Sequence, residues 1–245
     1  MSVSAAALKG LIPYGWRKTL LDLLQPGRPG IGPILARMER NLKMVFDIGA
    51  NVGDVSCYML HYFPQATVHA FEPCSETYER LVANVARAGL SDRFRPHRLG
   101  FFDEETVGTL HVATSHGANS MVPPGEEYLR LNPHIATVGS EQIPLMRLDD
   151  FMARERIEHI DLVKIDVEGV ELQVLRGGRD TFSNLVDAVI MEISFVRQRR
   201  EDAEYLRLFQ LLHEYGFAPA EIYDVAHAGR GPWKLAQFDC VFRRF

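Results

Sequence analysis

Three charged side chains alternate with single apolar residues in one short segment of the chain, namely Lys164, Asp166 and Glu168. Residues two apart in a β-strand point to the same face, so these groups are expected on one face at the end of a predicted strand over residues 160–167. A carboxylate there can take a proton from a hydroxyl group or orient it. We predict Asp166 in this role, with Lys164 and Glu168 as further catalytic residues.

The ammonium group of Lys164 requires a partner, because the strand around it is apolar. An unpaired buried charge costs on the order of several kcal/mol. The candidates at neighbouring strand ends are Asp47, Asp166 and Glu192. A purely structural ion-pair cluster is the alternative to a catalytic role for Lys164.

A glycine-containing turn, Asp-Ile-Gly-Ala-Asn-Val-Gly, occupies residues 47–53 and overlaps the apolar run 44–48. Such a turn at the carboxyl end of a buried strand marks the edge where open α/β sheets bind ligands. Glu72 ends the next predicted strand, 23 residues after Gly49, where a carboxylate can accept hydrogen bonds from ribose hydroxyls. We therefore predict a cofactor site at this edge. Its expected residues are Asp47, Gly49, Ala50, Asn51, Gly53, Glu72, Pro73 and Gly100.

The glycine spacing disfavours a dinucleotide. A dinucleotide fingerprint needs the pattern GxGxxG, but Asn51 and Asp54 stand at its second and third glycine positions. S-adenosylmethionine has a ribose but no phosphates, so it tolerates the bulkier turn. A nucleotide-dependent oxidoreductase, a non-catalytic binding module and an ordinary tight turn remain as alternatives.

The same residues belong to longer blocks, at residues 45–53, 70–73, 160–169, 171–172 and 174–178. These blocks resemble those of FkbM-type S-adenosylmethionine-dependent methyltransferases, over about residues 43–193. The Lys-Ile-Asp-Val-Glu-Gly block is the most specific, because other methyltransferases share the first two blocks but not this one. The resemblance implies S-adenosyl-L-methionine as cofactor and O-methylation of a hydroxyl on a sugar, a glycolipid or a polyketide-type natural product.

The acceptor is expected near Asn119, Ser120 and Glu192. The Asn-Ser-Met run at residues 119–121 is similar to a short serine-containing element of the family. Glu192 lies on a strand end beside Asp166, where it could also complete a carboxylate site for a metal with Asp166 and Glu168. That metal site is the less favoured alternative, and we predict no metal ligand.

Strands and helices alternate along most of the chain, which is typical of right-handed βαβ units and a parallel sheet. The predicted strands cover residues 44–48, 67–72, 94–102, 108–114, 160–167, 188–193, 218–225 and 235–242. The last two are joined by the turn 229–232 without a helix, so the last strand is expected antiparallel at or near an edge. The fold class is therefore α/β. The resemblance specifies a Rossmann-like class I methyltransferase with a mostly parallel seven-stranded sheet and helices on both faces.

The chain is divided at about residue 43. Residues 1–42 contain a leucine cluster at 20–24 and a Pro/Gly-rich stretch at 26–30, which predict a helical appendage and a linker. Residues 43–245 are the predicted methyltransferase domain. Within it, the polar segment 115–142 contains three prolines, and a loop of this length predicts a lid or a substrate loop.

Composition excludes several classes of protein. The 245 residues are 47% apolar with a net charge of −5, and the three cysteines lie far apart, which argues against a disulfide framework, a zinc knuckle and a nucleic-acid partner. Apolar runs are too short for a membrane span, and no signal peptide precedes the domain, so we expect a cytoplasmic protein. His111, His116 and His134 match no metal spacing. The expected partner is a small-molecule or saccharide acceptor, and a homo-oligomer is possible.

Overall fold

The computed structural model describes residues 30–196, 204–228 and 234–245. The helices are α1 (Ile31–Arg37), α2 (Asp54–Tyr62), α3 (Ser75–Arg87), α4 (Glu126–Leu131), α5 (Leu148–Glu155), α6 (Glu171–Gly177), α7 (Arg179–Asn184) and α8 (Glu204–Glu214). The strands are β1 (Met44–Ile48), β2 (Thr67–Phe71), β3 (Phe94–His97), β4 (Gly100–Phe101), β5 (Thr106–Ala113), β6 (Thr137–Met146), β7 (Ile160–Ile165), β8 (Val186–Ser194), β9 (Phe217–His227) and β10 (Leu235–Arg244). The predicted leucine cluster at 20–24 and the turn at 229–232 lie outside the described residues.

Seven strands form one sheet in the order β3-β2-β1-β7-β8-β10-β9. The pairs from β3 to β8 are all parallel. The last strand, β10, is antiparallel to both β8 and β9 and lies one strand in from the edge. The predicted α/β class, with a mostly parallel seven-stranded sheet and an antiparallel last strand near an edge, is confirmed.

The two central strands are buried on both faces. Val45 of β1 and Leu162 of β7 belong to the core that packs under α2 and α3. Phe46 and Val163, the next residue in each strand, belong to the core under α5, α6, α7 and α8. All four side chains are fully buried. Since both faces are covered, polar chemistry is confined to the ends of these strands.

A second, three-stranded sheet in the order β4-β6-β5 corrects two predictions. The strand predicted at 94–102 is divided, with β3 in the main sheet and β4 in the small one. Residues 137–142 lie inside the segment predicted as a loop, yet they form the first part of β6, antiparallel to β5. Most of these residues are exposed, so their sequence lacks the alternation of apolar and polar residues that predicts a strand.

The strand predicted over 160–167 ends earlier, at Ile165. The Asp166 N–H still donates to the carbonyl of Ile48 at 3.0 Å, after which the chain turns, with φ of +60° at Glu168 and +117° at Gly169. Glu168 therefore belongs to the turn and does not share a strand face with Lys164. That prediction was wrong because a left-handed turn, which Gly169 permits, interrupts the strand period.

Helix α1 lies within the region predicted as an appendage, and it packs against the domain. Its Leu35 is fully buried, and Arg37 forms an ion pair with Glu221 of β9. The division of the chain at residue 43 stays a prediction. In the part of the chain that the structure describes, no helix has both the length and the apolar character needed to cross a membrane.

Candidate active site

The turn after β1 is shaped by its glycines. Gly49 has a φ of +79°, and its N–H donates to the carbonyl of Phe71 at the end of β2. A Cβ on Gly49 would lie 1.9 Å from the backbone oxygen of Asp166. Only glycine fits there, because the turn after β1 passes directly against the turn after β7. The close approach puts Asp166 at the rim of the predicted cofactor turn.

Glu72 follows β2 and is buried, with 7% of its surface exposed. Its carboxylate accepts two backbone hydrogen bonds, from Asn51 N–H to Oε2 and from Cys74 N–H to Oε1, both at 3.0 Å. Burial raises the pKa of Glu72 to about 7, because the loss of hydration outweighs these two hydrogen bonds. Glu72 is therefore a fixed carboxylate whose charge changes near neutral pH.

The ammonium group of Lys164 has two carboxylate partners. Its Nζ lies 3.2 Å from Asp166 Oδ2 and 3.5 Å from Asp47 Oδ1, and it donates to the Gly49 carbonyl at 3.1 Å. Burial alone would lower the pKa of Lys164, but the charges of Asp166 and Asp47 outweigh it and the pKa is raised. The predicted pairing is confirmed for Asp47 and Asp166. The third candidate, Glu192, does not contact Lys164 and accepts a hydrogen bond from Gln237 at 2.7 Å.

Asp47 lies beneath the site. Its side chain is fully buried, and its Oδ2 accepts a hydrogen bond of 2.6 Å from the hydroxyl of Ser56 in α2. It does not line the main cavity. Asp47 thus acts on the site through Lys164, whose charge it balances.

A cavity that is open to solvent lies at the carboxyl ends of β1, β2 and β7. One side is formed by the main sheet and its turns, including Gly49, Glu72 and Asp166. The other wall is mostly apolar, formed by Phe101, Leu110, Ile143 and Leu145 of the small sheet and by Met121 of the segment after β5. The cavity therefore has a polar side and an apolar side, as ligand sites usually do.

The segment after β5 closes one end of the cavity through two polar contacts. His116 Nδ1 lies 2.7 Å from Asn51 Oδ1, which joins the segment to the turn after β1. The hydroxyl of Ser120 donates to the Glu168 carbonyl at 2.6 Å, which joins it to the turn after β7. Asn119 lines the cavity, and its Oδ1 accepts the N–H of Ala113. The segment thus bridges the two turns that carry the predicted cofactor and catalytic groups.

A second, smaller cavity adjoins the first at Glu168. It is lined by Glu192 of β8, Tyr205 of α8 and further residues of the two elements. Burial and the carboxylates of Asp166 and Glu168 raise the pKa of Glu192 well above its ordinary range. The chain thus offers two adjoining spaces that share Glu168 on their walls.

The structure brings together only part of the predicted site. The predicted residues that line the main cavity are Gly49, Asn51, Glu72, Pro73, Gly100, Asn119, Asp166 and Glu168. The predicted residues that do not line it are Asp47, Ala50, Gly53, Ser120, Lys164 and Glu192. Gly53, with a φ of +88°, instead packs against Leu81 of α3. Ala50 is buried in the core beneath the turn. The roles of all these residues stay predictions.

Sequence reasoning missed the apolar wall and Glu141. The wall residues are separated along the chain and meet only through pairing in the small sheet, so no local pattern marks them. Glu141 of β6 accepts hydrogen bonds from the N–H and hydroxyl of Ser75, both at 3.1 Å, at the start of α3. It therefore ties the small sheet to the main domain next to Glu72 and Pro73.

The fold is that of a class I methyltransferase. Among solved structures, the chain is similar to methyltransferase FkbM from Methylobacillus flagellatus KT, with a TM-score of 0.50 and 18% identity. The match covers 93% of this chain and 48% of that one, so the protein spans about half the length of that structure. This likeness concerns the fold.

Residues 47–219 match the family described as the methyltransferase FkbM domain, and the chain belongs to that family. It is 28% identical to the 31-O-demethyl-FK506 methyltransferase FkbM of Streptomyces tacrolimicus over 76% of each chain. It is 30% identical to the hexuronic acid methyltransferase AglP of Haloferax volcanii, over 61% of this chain and 55% of that protein. The predicted family and the predicted cofactor, S-adenosyl-L-methionine, are confirmed.

Proposed function

We propose that the protein transfers a methyl group from S-adenosyl-L-methionine to a hydroxyl oxygen of a saccharide or another small-molecule acceptor. The observation that carries this proposal is the position of Asp166. Its carboxylate lines the cavity beside the turn of Gly49, is 37% exposed, and is held by Lys164 at 3.2 Å. A carboxylate that is fixed and still accessible is suited to accept a proton from an incoming hydroxyl.

The residues of the cavity fit the cofactor. The Glu72 carboxylate is fixed by Asn51 and Cys74 and retains acceptor capacity for ribose hydroxyls. The apolar wall of the small sheet suits the flat adenine base. Gly100 lies between Pro73 and Leu145, where a Cβ would be 2.7 Å from Leu145 Cδ2, so it keeps this wall close to the sheet.

For this reaction the protein must align the acceptor hydroxyl with the methyl group and remove the proton of that hydroxyl. When bound, S-adenosyl-L-methionine supplies a methyl group that is already electrophilic. Asp166 would take the proton of the acceptor hydroxyl as the hydroxyl oxygen displaces the sulfur from the methyl carbon, which would leave S-adenosylhomocysteine. Lys164, balanced from below by Asp47, keeps the Asp166 carboxylate in place. The proton ends on Asp166 and leaves to solvent, to which this side chain is open.

The acceptor is placed in the second cavity, against Glu168 and Glu192. Glu192 lines this cavity and is held by Gln237, so its carboxyl group is fixed for a hydrogen bond with an acceptor hydroxyl. The relatives' names support an oxygen acceptor, because one is a 31-O-demethyl-FK506 methyltransferase and another a hexuronic acid methyltransferase. We place this reaction in the cytoplasm.

The test is transfer of a deuterated methyl group. The purified protein is incubated with trideuteromethyl-labelled S-adenosylmethionine and with glycan and metabolite extracts from a host lacking the gene. Mass spectrometry should find a trideuteromethyl group on an oxygen of one product. A label on nitrogen or carbon would overturn the proposed acceptor chemistry, and cofactor binding without any transfer would favour a binding module.

The Asp166→Asn variant then tests the base with the acceptor so identified. It keeps the shape of the side chain but cannot take the proton, so turnover should fall about 100-fold or more while affinity for S-adenosylhomocysteine, which lacks the sulfonium charge, stays within about threefold. Asp92→Asn, an exposed change outside the cavity, is the matched control and should retain full turnover. Full turnover with a lowered melting temperature in Asp166→Asn would assign Asp166 to structure alone.

A further inference from the structure

A cluster of possible metal ligands lies at the amino ends of β7 and β8, away from the cavity at the strands' carboxyl ends. His159 immediately precedes β7, Asp161 is in β7 and Asp187 is in β8. His159 Nε2 lies 3.0 Å from Asp187 Oδ2 and 3.6 Å from Asp161 Oδ1. One ligand atom from each residue lies within 4.8 Å of the other two. The three groups thus surround one point.

Strand register brings these side chains together. The parallel pairs Ile160↔Val186 and Leu162↔Ala188 put Asp161 beside Asp187 on one face of the sheet. Like charges at neighbouring cross-strand positions repel, so the pair is stabilised by a cation between them. His159, two residues before Asp161, points to the same side and supplies a nitrogen ligand.

Asp161 is already oriented for coordination. Its Oδ2 accepts hydrogen bonds from the backbone N–H groups of Lys43 and Met44, both at 2.7 Å. These bonds fix the carboxylate, and they leave Oδ1 directed at His159. Hydrogen bonds to the carboxylate oxygen that does not bind the metal lower the cost of ordering the ligand, and they are typical of metal sites in proteins.

We propose that His159, Asp161 and Asp187 bind a divalent transition-metal ion of the zinc class. Zinc lies about 2.0–2.2 Å from nitrogen and oxygen ligands in tetrahedral sites, which places the ligand atoms about 3.3–3.6 Å apart. The two separations from His159 Nε2, 3.0 and 3.6 Å, lie at or near this range, and the two carboxylate oxygens lie within 4.8 Å of each other. One imidazole and two carboxylates suit zinc, with water as the fourth ligand. The ion would join the starts of β7 and β8 and take no part in methyl transfer.

Isothermal titration of the untagged, full-length protein with zinc chloride tests the proposal. The wild type should bind one equivalent, with a higher melting temperature when zinc is present. His159→Gln and Asp187→Asn should each weaken zinc binding at least about tenfold. Asp161 is not replaced, because its carboxylate also holds the start of β1. His213→Gln, at an exposed histidine of α8, is the matched control and should bind like the wild type.

Two outcomes would overturn the inference. Absence of saturable zinc binding would show that the cluster is an ion pair of His159 with its two acids. Unchanged affinity in both variants would show that zinc binds elsewhere on the protein. Both variants alter exposed side chains, and a melting curve without zinc verifies that they fold. Methyl transfer by His159→Gln should equal that of the wild type, so this test is separate from that of the proposed function.

Discussion

The charge of Glu72 should control cofactor affinity near neutral pH. Burial raises the pKa of this carboxyl from its ordinary 4.5 to about 7. Ribose hydroxyls donate their hydrogen bonds best to an ionised carboxylate, because charge-assisted bonds are the stronger ones. Protonation of Glu72 removes that charge, so cofactor binding should weaken as the pH falls through 7.

The size of this effect follows from the ionised fraction of Glu72. With a pKa of about 7, the fraction is about 0.9 at pH 8 and about 0.1 at pH 6. Apparent affinity scales with the fraction of protein in the binding-competent form. The dissociation constant should therefore rise about tenfold between pH 8 and pH 6, which is about 1.4 kcal/mol.

Calorimetry with S-adenosylhomocysteine is the cleanest assay, because this product lacks the sulfonium charge of the methyl donor. The Glu72→Gln variant is the matched control, since glutamine keeps the shape and cannot ionise. At pH 8 it should bind about 1.5–3 kcal/mol more weakly than the wild type. Its affinity should not change between pH 6 and pH 8. A flat profile in the wild type, or the same slope in the variant, would refute the assignment of Glu72 to the ribose.

The raised pKa of Glu72 also makes the free energy of unfolding depend on pH. The folded state disfavours the ionised form of Glu72, so the wild type should lose stability relative to Glu72→Gln as pH rises from about 4.5 to about 7, by up to about 3 kcal/mol. His69, whose pKa burial lowers to about 4, titrates in both proteins and cancels in this difference. Urea unfolding of both proteins at pH 5 and pH 8 measures the change. A difference independent of pH would contradict it.

Three further perturbations probe the frame around the cavity. Gly49→Ala places a Cβ 1.9 Å from the backbone oxygen of Asp166, at a residue whose φ is +79°. The change should lower the free energy of unfolding by about 3 kcal/mol or more and abolish S-adenosylhomocysteine binding. Retained binding would contradict this. Ser56→Ala removes a 2.6 Å hydrogen bond to the buried Asp47 and should cost about 1–3 kcal/mol in urea unfolding, whereas unchanged stability would count against that bond. Limited proteolysis within residues 115–142 should slow with S-adenosylhomocysteine, because His116 and Asn119 line the cavity; equal rates would argue against a lid.

Two parts of the site could be predicted from the sequence. One consists of residues that are close together along the chain, and the other is the pairing that a buried charge requires. The turn after β1 and Glu72 after β2 lie within single βα units, so their residues are neighbours along the chain. The pairing of Lys164 with carboxylates was predictable because a buried ammonium must be neutralised. Which carboxylates serve depended on strand register, and two of the three candidates, Asp47 and Asp166, were correct.

The parts that failed depend on contacts between distant segments. The close approach at Gly49 is an example, because it depends on the backbone of Asp166, a residue more than a hundred positions away along the chain. The turn that moves Glu168 off the strand face is set by a left-handed backbone that the sequence pattern did not reveal. The small sheet likewise depends on β5 and β6 pairing across an intervening segment.

The arrangement of charges explains why the site contains ionised carboxylates whose burial is energetically unfavourable. Lys164 is shared by two carboxylates, so the group formed with Asp47 and Asp166 carries one excess negative charge when both acids are ionised. Ionised Glu72 adds another at the opposite side of the turn. An excess of negative charge attracts the cationic methyl donor. This attraction is lost once the methyl group has been transferred, because the sulfur of the product carries no positive charge. The buried, ionised Glu72 is thus unfavourable for the empty fold, and the negative charge around the turn favours binding of the donor over the product.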